Sequence, residues 1–143
     1  MNGNANHGSV TLVPVQTSHI PGIWPEIRQM ISAAADRTGR NTEKSHFESL
    51  CLGNSQLWLA WDNGPVALAL TEMHQFPRRK VLRITMMTGS HRENWLGFLG
   101  DIEAWAKEQG CAIVEPIARP GCRRILAPLG YRLEHVMLTK ALT

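Results

Sequence analysis

The sequence predicts an α/β (α+β) fold: a mixed, mostly antiparallel six-stranded sheet with about four helices. Three observations carry that expectation. Asp62-Asn63-Gly64 stands between two strand-like apolar runs and is a strong hairpin signal. The apolar spacing switches to a helical period after residue 91 and back to short apolar runs after Gly110. The runs, taken in order, read β-α-α-β-β-β-α-β-α-β.

The polar residues 1–9 are expected to be a flexible tail, which leaves residues 10–143 for the domain. Val10 to Gln16 reads as a strand whose Pro14 suits a sheet edge. Ile23, Trp24, Ile27, Met30, Ile31 and Ala34 recur at three- and four-residue steps, so they share one helical stripe. That helix is expected to begin near Pro25, because proline has no N–H to give an inner turn. Thr42 can cap a shorter helix that buries Phe47, Leu50 and Cys51 and stops at Gly53.

Gln56 to Trp61, Val66 to His74 and Val81 to Thr88 then read as a three-stranded meander. From Arg92 to Gln109 the residues Trp95, Phe98, Leu99, Ile102, Trp105 and Ala106 gather on one helical face, a core stripe closed by Gly110. Cys111 to Ala118 is expected as a strand, Gly121 to Leu129 as a short helix, and Tyr131 to Leu138 as the last strand.

Composition narrows the function classes. A net charge of +3 gathers partly at Arg78-Arg79-Lys80 and Arg123-Arg124, which read as solvated turns; no aromatics are interleaved with them, so a nucleic-acid partner is not expected. No apolar run nears the ~20 residues of a membrane span, and residues 1–9 lack the features of a signal peptide, so a cytoplasmic protein is expected. Three cysteines without CxxC spacing read as reduced core thiols, and no metal site is expected.

The element order resembles the GNAT N-acetyltransferase superfamily over nearly the whole chain. Ile102-Glu103-Ala104-Trp105-Ala106-Lys107-Glu108-Gln109-Gly110-Cys111 is similar to the end of that family's central helix, and Leu129-Gly130-Tyr131 to its terminal Leu-Gly-Phe. Residues 89 to 142 also resemble short GNAT-like proteins encoded by tailed phages and prophages. The resemblance implies transfer of an acetyl group from acetyl-CoA to a primary amine, whose acceptor the sequence does not name. It places the pantetheine arm along Met86, Met87 and Thr88 and the pyrophosphate near Gly89, Ser90, His91 and Arg92.

The family's loop glycines fall on Glu93 and Trp95, so the phosphate loop is degenerate. A carboxylate ~4 Å from an anion repels it by about 4 kcal/mol at an effective dielectric of 20. Ser90-x-x-Glu93 also fits a capping box, in which the helix would occupy its own donors. The family's frequent tyrosine acid falls on Leu126 and its asparagine on Arg119, while Tyr131 is expected to be packed.

Base candidates are Glu115, Glu72 and His74, with His135 behind them. Glu115 interrupts an apolar strand, where its pKa would rise, or it pairs with Arg119 or Arg83. Two readings remain: an acetyl-CoA-dependent N-acetyltransferase with a degenerate loop, and a non-catalytic GNAT-like structural or interaction module. A homo-oligomer paired through the sixth strand fits either.

Overall fold

The chain builds one five-stranded sheet in the order β1-β2-β3-β4-β5, seen in a computed structural model that describes residues 10–143. The tail expected over residues 1–9 lies outside the described residues. The strands are β1 (Leu12–Val15), β2 (Gln56–Trp61), β3 (Pro65–Gln75), β4 (Lys80–Gly89) and β5 (Ile113–Pro116). The first four pair antiparallel in sequence order, and β5 joins β4 in parallel. The β2–β3 turn takes left-handed backbone at Asn63 (φ 58°) and Gly64 (φ 130°), as the Asn-Gly signal requires. Pro14 lies in β1, an edge strand, as expected.

Period-two alternation sorts the sheet's side chains between two layers of helix. Trp58, Ala60, Ala67, Ala69, Leu82 and Ile84 pack against Phe98, Leu99, Ile102 and Ala106 of α3 (Trp95–Glu108). Leu57, Leu59, Leu68, Leu70 and Met86 meet Ile20, Trp24, Ile27 and Ile31 of α1 (Ile20–Thr38) and Leu50 of α2 (Glu43–Cys51). Each fully buried leucine or isoleucine stabilises the fold by about 1.5–3 kcal/mol, so both faces are firmly clamped. Thr71, buried in the sheet, accepts from Trp58 Nε1 at 3.0 Å and donates to Gln56 Oε1 at 2.8 Å, which removes its desolvation penalty.

Several elements depart from expectation. Helix α1 starts at Ile20, because the 3-10 turn Thr17–His19 leads into it and Pro21 occupies its first turn. Pro25 is therefore inside the helix, where the buried Trp24 and Ile27 hold the chain despite one missing N–H. Thr42 does cap α2: its Oγ1 accepts Ser45 N–H at 3.0 Å while Ser45 Oγ accepts Thr42 N–H at 2.9 Å. Cys51 is exposed, since it lies about 100° around the helix from the buried Leu50. Cys111 and Cys122 are only partly buried.

Strand β5 is shorter than Cys111 to Ala118 and ends at Pro116, whose ring removes a ladder donor. The helix expected over 121–129 is broken into the 3-10 turns Pro120–Cys122 and Ala127–Leu129 around α4 (Arg123–Leu126). Pro128 cannot donate the N–H that would continue it. The sixth strand is not formed. Leu133, Val136, Met137 and Leu138 are 53–89% exposed, and residues 132–143 make no backbone hydrogen bond to another strand among the described residues. Alternation marks a segment able to pair, but pairing needs a ladder, and the charged Arg132 and Glu134 between the apolar residues oppose burial of both faces. No helix of the described residues is long and apolar enough to cross a membrane.

Candidate functional site

The site begins where two strands part. β4 and β5 pair from Val81↔Ile113 to Ile84↔Pro116, and Ile117 N–H donates to the Ile84 carbonyl at 2.9 Å. Beyond that point β4 continues to Gly89, still paired with β3. Among the described residues, Thr85 to Gly89 thus have β3 on one side and no strand on the other, leaving a fork lined by backbone donors and acceptors. A β-bulge stands at its root: Leu70 faces Met86 and Thr71 faces Ile84, so Thr85 has no opposite residue. Its Oγ1 donates to the Leu70 carbonyl at 3.3 Å. Bulges bend a strand and increase its twist, which here coincides with the parting of β4 from β5.

The fork opens onto the turn between β4 and α3. Gly89 adopts φ 118°, and a Cβ there would meet Val66 O at 2.4 Å and Ala67 Cα at 2.5 Å, so only glycine fits. Ser90 N–H and its hydroxyl both reach the Val66 carbonyl, at 2.8 and 3.1 Å. His91, in left-handed backbone (φ 64°), has Nδ1 3.0 Å from Ser90 Oγ and Nε2 3.1 Å from Asp62 Oδ2, which ties this turn to the β2–β3 hairpin.

The expected capping box does not form. Ser90 spends its hydroxyl on Val66 and His91, the 3-10 turn Arg92–Asn94 intervenes, and α3 begins at Trp95. Glu93 is exposed and lines a surface hollow with Val10, Thr11, Gly97 and Asp101, beside β1. Because β1 and β5 are opposite edges of the sheet, that carboxylate is turned away from the fork. Trp95 folds back, its indole N–H donating to the Ser90 carbonyl at 3.3 Å. On the other side Arg37 Nη2 of α1 reaches Thr88 Oγ1 at 3.4 Å.

A polar strip runs below the fork on the α1–α2 face. Glu72 and Arg83 are opposite each other across β3 and β4, and Arg83 is opposite Glu115 across β4 and β5. Arg83 Nη2 lies 3.3 Å from Glu115 Oε1, and His74 Nε2 lies 3.1 Å from Glu72 Oε1. These four side chains are each about one-third exposed, so a solute can reach them. His46 of α2 is near enough to feel the charge of this strip. Burial lowers its pKa and the Glu72 carboxylate pulls it back up, so the ring favours its neutral form.

Known structures share the overall fold. An aminoglycoside acetyltransferase from an uncultured soil metagenomic sample, in complex with sisomicin, superposes with TM-score 0.71 at 10% identity, over 96% of this chain and 99% of that one. The ribosomal-protein-alanine N-acetyltransferase of Brucella melitensis biovar Abortus 2308 gives 0.70 at 9%, over 93% and 99%. A predicted acetyltransferase with acetyl-CoA, from Clostridium acetobutylicum, gives 0.66 at 18%, over 93% and 96%.

The chain has the GNAT fold. No protein-family model and no curated relative matches the sequence.

Within this GNAT fold, Met86, Met87, Thr88 and Gly89 line the open edge, and Ser90, His91 and Arg92 form the turn beyond it. Glu72, His74 and Glu115 come together on one face, with Glu115 held by Arg83, the partnership the sequence offered as the alternative to a free base. His135 is exposed in the segment after Tyr131. Tyr131 is half-buried and packed, donating to Glu103 Oε2 at 2.6 Å; burial, then the bond and charge of Glu103, push its pKa up and keep the phenol protonated. Sequence reasoning missed His46, although its place one turn before Leu50 puts it on the helix face toward the sheet.

Proposed function

We propose that the protein is an acetyl-CoA-dependent N-acetyltransferase with a pyrophosphate turn that departs from the family's glycine pattern. The fork carries this reading. Backbone groups of Thr85 to Thr88 that no strand among the described residues pairs are suited to hydrogen-bond an extended amide chain such as pantetheine, much as they would another strand. Glu93 faces the β1 edge, so the repulsion expected from its position is relieved. The helical segment that starts at Arg92 runs on into α3, and the positive end of its dipole at this turn suits an anion. Arg37 adds a positive charge near Thr88. Acetyl-CoA would supply the acetyl thioester; the chain's part is to hold it along β4 and to relieve the acceptor ammonium of a proton on the α1–α2 face.

Trp95 favours a second reading, a non-catalytic GNAT-like module. Its indole closes onto the Ser90 carbonyl at 3.3 Å where the family's loop has a small residue. Thiol release from acetyl-CoA in the presence of primary amines separates the two. Amine-dependent release supports the enzyme, and its absence together with no binding of acetyl-CoA supports the module.

A further inference from the structure

We propose that Asp62, in the β2–β3 hairpin turn, is a positioning residue for coenzyme A: it acts through His91 to hold the β4–α3 turn in the shape that receives the pyrophosphate. This rests on the acetyltransferase reading.

The turn needs something to hold it. His91 has φ 64°, a left-handed conformation in which a Cβ crowds the following carbonyl, so the backbone would leave it if free to do so. Among the described residues only Asn63 and His91 combine a positive φ with a side chain. Asn63 closes the hairpin that carries Asp62, and His91 bears the ring that Asp62 meets. His91 Nε2 donates to Asp62 Oδ2 at 3.1 Å, since a carboxylate can only accept, and Nδ1 lies 3.0 Å from Ser90 Oγ.

Both partners of the ring are anchored to the start of β3. Asp62 N–H donates to the Gly64 carbonyl at 2.8 Å, and Ser90 N–H donates to the Val66 carbonyl at 2.8 Å. The ring therefore spans two fixed points. From His91 the helical segment springs, because its carbonyl accepts Asn94 N–H at 2.9 Å. The conformation of this one residue thus sets how the positive end of the helix dipole meets the open edge of β4.

Asp62 has two opposed influences here. By charge alone a carboxylate beside this turn repels an anion. By holding His91 it favours one. The opposite signs make the assignment testable.

The experiment measures binding of coenzyme A, and of pantetheine, which lacks the pyrophosphate, by NMR titration. D62A is expected to weaken coenzyme A binding by about 3–10-fold, as the competent turn becomes less populated, and to leave pantetheine unchanged. D62N keeps an oxygen that accepts from His91 Nε2 and loses the charge, so it should bind coenzyme A at least as well as wild type. Glycine takes left-handed backbone freely and offers no ring to hold, so D62A added to H91G should cost no further affinity.

Unchanged or tighter coenzyme A binding by D62A would show that the carboxylate holds nothing that the coenzyme needs. An equal loss on pantetheine, or a full loss from D62A in H91G, would show that it does not act through His91. Each of these overturns the assignment and leaves the acetyltransferase reading intact. A wild-type protein that binds neither compound removes both.

Discussion

Gly89 offers a sharp test of how the fork is built. In Gly89→Ala the new Cβ would sit 2.4 Å from the Val66 carbonyl oxygen, 2.5 Å from Ala67 Cα and 3.0 Å from Ala67 Cβ. The first two are backbone atoms of β3, so no side chain can swing aside; β3 and β4 must separate at the Ala67↔Gly89 pair. Backbone held at φ 118° adds strain of about 1–3 kcal/mol for any residue with a Cβ. Separation also weakens the 2.8 Å bond from Ser90 N–H to Val66, a further ~0.5–1.5 kcal/mol. The expected loss is about 2–4 kcal/mol, which lowers Tm by roughly 5–15 °C in a chain of this length.

Gly97→Ala is the control, because nothing lies within 4 Å of the position its Cβ would take in α3. It should be neutral or raise stability by up to ~1 kcal/mol through helix propensity. Scanning calorimetry on both variants decides the matter. A G89A protein that melts within about 2 °C of wild type would mean that the turn does not follow this path.

Two further outcomes follow from named contacts. Thr42→Ala removes the acceptor for Ser45 N–H and is expected to cost ~1 kcal/mol, read as a fall in Tm of about 2–4 °C, while T42S keeps most of it. His46 is lowered in the fold from its ordinary 6.5, so the unfolded chain binds the extra proton as pH drops below that value. Stability from this residue is present above 6.5 and declines below it; in H46Q, thermal unfolding followed between pH 7.5 and 5 should show a shallower decline than in wild type.

Much of the scaffold was legible from periodicity. The Asn63-Gly64 turn, the edge proline of β1 and the Thr42 cap each follow from local chemistry that tertiary context did not overrule. Errors arose where context decides. The alternation from Tyr131 to Leu138 cannot say whether a ladder exists for it, and Pro25 cannot say that Pro21 precedes it within the same helix. Ser90 and Glu93 fit a capping box by spacing alone, but the Val66 carbonyl, 24 residues earlier in the chain, claims the serine. Glu115 was recognisable as a polar interruption of an apolar strand, and Glu72 and His74 as polar residues near the end of the third strand. Their meeting depends on the register of β3, β4 and β5, which single-sequence patterns do not encode.

The most direct measurement is an amide-resolved NMR titration of the ¹⁵N-labelled protein with acetyl-CoA. Saturable shifts concentrated at Thr85 to His91, with the amides of β1 and β2 still, are the predicted result. Signals across that stretch that stay in place at millimolar acetyl-CoA would contradict the role assigned to the fork.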